Sequence, residues 1–153
     1  MTASLKCVLD TNVAIKQFID DPLTAKANQL FEHFSDPSAQ FFVPDLFYIE
    51  CANVFWTYVR AQLYTADQAI LGWSILDQLP LKSISTKALM IQAIQIGVEY
   101  NITAYDGCFV ARSQQVSAPL LTLDKRLFNA MNSSPFDVRL FADFAIPPLP
   151  SRR

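Results

Sequence analysis

Four acidic side chains in this sequence stand where a carboxylate could do chemistry: Asp10 in "CVLDTNVAIKQF", Glu50 in "PDLFYIECANVFW", Asp106 in "TAYDGCFVA" and Asp124 in "LLTLDKRL". Two unit charges about 4 Å apart repel by about 4 kcal/mol at an effective dielectric near 20. A cluster of all four therefore needs compensating cations or raised pKa values. Oxygen-only ligands favour hard cations, Mg2+ or Mn2+, over zinc. Such ions activate water and stabilise a phosphoryl transition state. Thr11, Asn12 and Thr122 are small polar neighbours suited to orienting water or the carboxylates, although ordinary turn chemistry accounts for them equally well.

Each acid also has a plainer reading. Asp10 and Asp124 each follow an apolar run and could cap the next helix. Asp106 lies three residues after Thr103, the spacing of a capping-box variant. Glu50 resists this explanation. A helical wheel sets it beside Leu46, Phe47, Asn53, Val54 and Thr57, with no Lys or Arg three or four residues away. A carboxylate on such a face is costly to bury unless it is paired or bound to a cation.

The elements around these residues alternate. Short apolar runs at 5–9, 40–44, 81–85, 119–124 and 137–141 read as strands. Helical spacing covers 24–34, 45–62, 65–79, 86–101, 103–115 and 125–131, with Thr24, Asp45 and Thr65 as expected N-caps. Strands separated by one or two helices favour a parallel sheet in an α/β fold. Ligands of such sheets bind at the carboxyl ends of the strands, where Asp10 and Asp124 are expected.

The four motifs, in this order, resemble those of PIN-domain ribonucleases, and most of all the VapC-type toxins of toxin–antitoxin pairs. The likeness runs from about Leu5 to Phe141. It implies a three-layer α/β/α fold, with a PIN domain over 1–144 and a proline-rich basic tail over 145–153 that is expected to be extended and poorly packed. It implies cleavage of RNA, often tRNA or ribosomal RNA, dependent on Mg2+ or Mn2+ and leaving a 5′-phosphate and a 3′-hydroxyl. Asp10, Glu50, Asp106 and Asp124 would be the catalytic and metal-binding quartet, supported by Thr11, Asn12 and Thr122. A homodimer and a cognate antitoxin protein are implied partners. The chain departs from the family after Asp106, where Gly107 and Cys108 replace small residues such as Ala and Ser. Glycine lowers helix propensity by about 1 kcal/mol relative to alanine, so a loosened helix start is expected there.

Composition is compatible with these expectations. The 153 residues are 52% hydrophobic and 17% charged, enough for one packed domain. No apolar run is long enough for a membrane span. Three scattered cysteines fit buried thiols in a cytoplasmic protein. Net charge is −2, but setting the quartet aside leaves 12 basic residues against ten acidic ones. Arg112, Lys125 and Arg126 are the expected phosphate contacts, or else part of a solvated helix face. A lone histidine, His33, leaves no histidine pair for cleavage through a 2′-hydroxyl, and no GxxxxGK[ST] or GxGxxG cradle is present. The readings left open besides the toxin nuclease are an RNA-processing PIN nuclease and a catalytically silent module that binds RNA or protein. The aromatic helix at 45–62, with Phe47, Tyr48, Phe55, Trp56 and Tyr58, is the expected source of any partner surface.

Overall fold

A computed structural model describes residues 4–151. Five strands, β1 (Lys6–Leu9), β2 (Gln40–Pro44), β3 (Leu81–Ile84), β4 (Leu120–Thr122) and β5 (Val138–Leu140), pair entirely in parallel in the order β3-β2-β1-β4-β5. Helices α1 (Thr11–Ala14), α2 (Thr24–Phe31), α3 (Leu46–Arg60), α4 (Ala66–Asp77), α5 (Met90–Tyr100), α6 (Ala104–Val116) and α7 (Lys125–Met131) flank this sheet. Parallel strands are joined by crossovers that cover the sheet. The central strands accordingly read as unbroken apolar runs: Cys7, Val8 and Leu9 of β1 and Leu120 and Leu121 of β4 are fully buried.

The chain builds the sheet outward from β1 to β3, then returns to lay β4 against the other side of β1. The order thus reverses between β1 and β4, and a crevice opens beyond the carboxyl ends of strands at such a point. Asp10 directly follows β1, and Asp124 stands two residues beyond β4. α3 starts just after β2, so its first turns also lie at this edge. α6 runs back towards the start of β4, which sets its N-terminus there too. Glu50 and Asp106 are carried on those two helices.

Several local expectations need correction. Asp45 does not cap α3: its backbone is already helical and its side chain makes no cap bond. The Leu46 N–H instead donates to Thr86 Oγ1 at 2.8 Å. Thr24 lies inside α2, its hydroxyl donating to the Ile19 carbonyl and accepting the Asp21 N–H. Thr65 does form a full capping box with Gln68. The segment expected as a helix from 86 opens with a 3-10 turn, Thr86–Leu89, before α5.

Gly107 does not loosen α6. A Cβ there would come within 2.6 Å of the Ala93 carbonyl oxygen, so glycine is what lets α6 lie against the backbone of α5. The tail is also better packed than its composition suggests. His33, buried in the 3-10 turn after α2, shares a hydrogen bond of 2.8 Å with the Pro147 carbonyl, and Phe144 and Ile146 pack against the core. Arg152 and Arg153, the basic end of the tail, lie outside the described residues.

Of the five aromatics in α3, Phe47 and Phe55 are buried, and Tyr48 and Tyr58 pack against the core. Only Trp56 is exposed, with the Arg60 guanidinium over its ring. The exposed apolar surface comes instead from Ile70, Leu71 and Ile75 of α4 and from Ile91, Ile94 and Val98 of α5. The three cysteines are free and buried.

Candidate functional site

A cleft of about 850 Å³ opens at the carboxyl edge of the sheet, and Asp10, Glu50, Asp106 and Asp124 all line it. Thr11 and Asn12 line it as well. A smaller cleft of about 330 Å³ shares Asp106 and Asp124 with it and has Arg126 in its wall.

Asp10 occupies the N-cap position of α1, yet its side chain makes no cap bond. Its Oδ2 accepts a 2.7 Å hydrogen bond from Thr122 Oγ1 instead. The Thr122 hydroxyl is fully buried and fully used. It donates to Asp10 and accepts from Asn12 Nδ2 at 3.3 Å and from the Asp124 backbone N–H at 3.0 Å. A hydroxyl has one proton and two lone pairs, so no capacity is left over. Asn12 closes the ring from the other side, its Oδ1 accepting the Leu123 N–H at 3.0 Å. Three small polar residues thereby lock the loop after β1 to the loop after β4.

Asp124 does cap its helix. Its Oδ1 accepts the N–H groups of Arg126 and Leu127, which fixes the carboxylate against α7. Asp106 lies in the first turn of α6, whose cap is Thr103, with Thr103 Oγ1 accepting the Asp106 N–H. Capping and site membership thus coexist at these two positions. Glu50 has no cationic partner among the described residues; Thr11 Oγ1 donates to its Oε1 at 3.3 Å.

The charges are poorly compensated. Among the described residues the ion pairs are Lys16–Asp21 and Arg139–Asp137, neither of which involves the four acids. Burial pushes the Asp10 carboxyl up to about 6, Asp106 and Asp124 push the same way, and the Thr122 hydrogen bond opposes. Burial also pushes Glu50 up to about 7, with Asp10 and Asp106 adding to it against the Thr11 hydrogen bond. Asp106 is raised by burial and by Asp124. Among the described residues no three His, Cys, Asp or Glu side chains close on a common point at ion-binding distance. The donor set is nevertheless all oxygen, and its excess negative charge fits a hard divalent cation better than any other group.

The expected phosphate contacts divide. Arg126 is exposed and lines the smaller cleft, and Lys125 is exposed beside it. Arg112 is misplaced by the sequence reading. It lies six residues beyond Asp106 on α6, about 9 Å along the axis, and only 7% of it is exposed. Its guanidinium bonds the Lys82 carbonyl and Gln115 Oε1 and lies over the Phe42 ring. Arg112 fastens α6 to the sheet. Burial lowers its pKa, as it would for any cation taken out of water.

The cleft also contains residues that the sequence reading missed. Tyr105, 65% exposed, stands immediately before Asp106, and Ile49 stands immediately before Glu50. Their adjacency to the acids was visible, but a residue next to a functional one on a helix points elsewhere as often as not.

Comparisons with known proteins agree with this architecture. A family model described as "PIN domain" matches residues 7–132. Ribonuclease VapC3 of Pyrobaculum aerophilum is 25% identical over 128 residues, covering 80% of this chain and 92% of that protein. Among solved structures, VapBC2 from Rickettsia felis, bound to a DNA fragment from its promoter, superposes with a TM-score of 0.63 at 13% identity, covering 89% of this chain and 98% of the other. A toxin–antitoxin complex from Klebsiella pneumoniae gives a TM-score of 0.57 at 17% identity, covering 88% and 97%. These structural likenesses are likenesses of fold.

Proposed function

The chain belongs to the PIN domain family, and from that premise we propose that it is a Mg2+- or Mn2+-dependent endoribonuclease acting as the toxin of a toxin–antitoxin pair. The observation that carries this reading is that Asp10, Glu50, Asp106 and Asp124 line one cleft with no cation among the described residues paired to any of them. A module that only bound RNA would gain nothing from four carboxylates facing a polyanion. The name of the curated relative and the complexes formed by the structural neighbours support ribonuclease activity and a protein antitoxin as partner.

Asp10, Glu50, Asp106 and Asp124 would hold the cation, which when bound neutralises phosphate charge and makes water more acidic. The rest is work for this chain's own groups. Thr122 fixes Asp10 Oδ2, and through the Asp124 N–H it fixes where the second aspartate leaves β4. The helix cap on Asp124 Oδ1 orients that carboxylate, leaving Oδ2 for the cleft. Glu50 lines the same cleft, and the Thr11 hydroxyl on its Oε1 holds the carboxylate in place beside the three aspartates. Arg126 and Lys125 stand where they can meet backbone phosphates of an RNA strand.

Partner surfaces follow from the exposed apolar residues. Ile91, Ile94 and Val98 form one stripe along α5, and Ile91 and Val98 are 77% and 81% exposed. We assign this stripe to a homodimer interface, because a second copy buries it without any new sequence. Among the described residues no helix is long and apolar enough to cross a membrane, and the reduced, buried cysteines suit the cytoplasm.

The test is incubation of the purified protein with total RNA in Mg2+, in Mn2+ and in chelator, beside Asp10→Asn. Discrete cleavage that requires the metal and disappears in the variant is the expected result. Intact RNA after exposure to folded protein that binds the metal overturns the reading.

A further inference from the structure

Resting on the nuclease reading, we infer that Tyr105 forms one wall of a slot for an unstacked nucleobase of the RNA strand in the acidic cleft. The larger cleft is lined by apolar as well as acidic residues. Its apolar lining residues include Ile15, Leu46, Ile49 and Val54, with Tyr105 and Asn53 exposed among them. Tyr105 stacks on no other aromatic side chain, and its hydroxyl makes no hydrogen bond among the described residues. The ring face and the hydroxyl of Tyr105 are both open to a ligand entering the cleft.

Position decides what that ligand is. Tyr105 lines the same cleft as Asp10, Asp106 and Asp124, so a group on its ring shares that cleft with the acids. Every base has a π face, and a tyrosine ring presents a matching one. The Asn53 side-chain amide carries both donors and an acceptor and has no hydrogen-bond partner among the described residues, so it can meet a base edge. On the far side of Asp106 and Asp124 the smaller cleft offers Arg126 to the backbone. A strand passing from Arg126 across the acids would deliver its next base to Tyr105. In a duplex that base is stacked and paired, and sequence-specific RNA recognition targets loops and single strands for this reason. A volume of about 850 Å³ accommodates a nucleotide with room for water.

Tyr105→Ala, Tyr105→Phe and the native chain should be compared on a short unpaired RNA containing the mapped cut site, with 2-aminopurine at each flanking position in turn. Binding is read in the Asp10→Asn background by quenching of that fluorescence, and cleavage is read in the otherwise native chain. Tyr105→Ala should lose quenching at one position and weaken kcat/KM by about 5- to 100-fold, mostly through KM. Tyr105→Phe should keep both. An abasic residue at that position should abolish the difference between the native chain and Tyr105→Ala. Equal quenching and equal kcat/KM in Tyr105→Ala, with the native chain cutting normally, would overturn this inference and leave the nuclease reading intact. Loss of antitoxin binding in Tyr105→Ala with RNA kinetics unchanged would also overturn it, assigning the ring to a protein surface. A native chain that cuts nothing is a failure of the nuclease reading, from which this one falls. Tyr105 is exposed, so Tyr105→Ala should melt with the native chain.

Discussion

Thr122 Oγ1 gives its proton to Asp10 Oδ2 at 2.7 Å while accepting the Asp124 backbone N–H at 3.0 Å. One buried hydroxyl therefore sets the positions of two of the four acids. Thr122→Val keeps the shape and removes the hydroxyl. It leaves Asn12 Nδ2 and the Asp124 N–H without their acceptor, a loss of about 1–3 kcal/mol for each polar group left unmet. Metal affinity or activity should fall about 10- to 100-fold, while Thr122→Ser should retain most of both. Calorimetry with Mn2+ and a denaturant titration measure the two effects separately.

Without metal, stability should fall as pH rises. Asp10 binds its proton with a pKa of about 6 when folded, against 3.8 for an ordinary aspartate, and Glu50 is raised to about 7 from 4.5. The folded state therefore holds more protons than the unfolded one across this range. Stability from these groups is fully present below about pH 4 and is lost as pH rises through 6 to 7. For Asp10 the loss is about 3 kcal/mol. In chelator the melting temperature should decline between pH 5 and pH 8. Asp10→Asn should melt higher than the native chain at pH 8, while losing the rise in melting temperature that Mn2+ gives. A chelated native chain that becomes more stable from pH 5 to pH 8 contradicts this assignment.

Arg112→Ala and Arg126→Ala should behave oppositely. The first removes the bonds to Lys82 and Gln115 and the cover over Phe42, so it should destabilise the fold by about 1–3 kcal/mol. Its RNA affinity, measured at a temperature where it stays folded, should keep the native salt dependence. Arg126→Ala should leave the melting temperature alone and reduce the slope of log affinity against log salt by about 1.

Gly107→Ala should cost about 1–3 kcal/mol, because its methyl meets the Ala93 carbonyl oxygen rather than a side chain that can turn away. Urea denaturation would measure it. Gly72→Ala would bring its methyl within 2.7 Å of the buried Phe55 ring, which is packed against Phe18 and Tyr64, so it should destabilise the fold as well.

Val98→Glu should convert the dimer to a monomer at micromolar concentration, measured by light scattering, because it buries an unpaired charge in the α5 stripe. Trp56→Glu, on the face favoured by the sequence reading, should leave the dimer in place.

The fold was legible wherever a run of residues answers to a single demand. The apolar runs of β1, β2 and β4 are buried on both faces and could be little else. The four acids were legible because Glu50 breaks the pattern of its helix and because the resemblance orders them. Arg112 was misread because sequence gives the distance along α6 but not which neighbour receives the side chain, and the β3 carbonyl comes from 30 residues away. The caps of α2 and α3 failed for a related reason: the Thr24 hydroxyl is spent on the Asp21 N–H and the Ile19 carbonyl, and Thr86, from 40 residues away, accepts the first N–H of α3. The partner surface was sought in aromatics, which the core consumed, while plain aliphatics on α4 and α5 stayed outside.

The sheet order has a temporal consequence. β1 precedes β4 by more than a hundred residues in the chain, yet the two are neighbours in the sheet, and the bond from Thr122 to Asp10 spans 112 residues. Contacts between residues so far apart form late, because the intervening chain must be ordered first. A growing chain that carries Asp10, Glu50 and even Asp106 still lacks the strand that seats them. The acidic cleft is thus incomplete until β4 has been made and has joined β1.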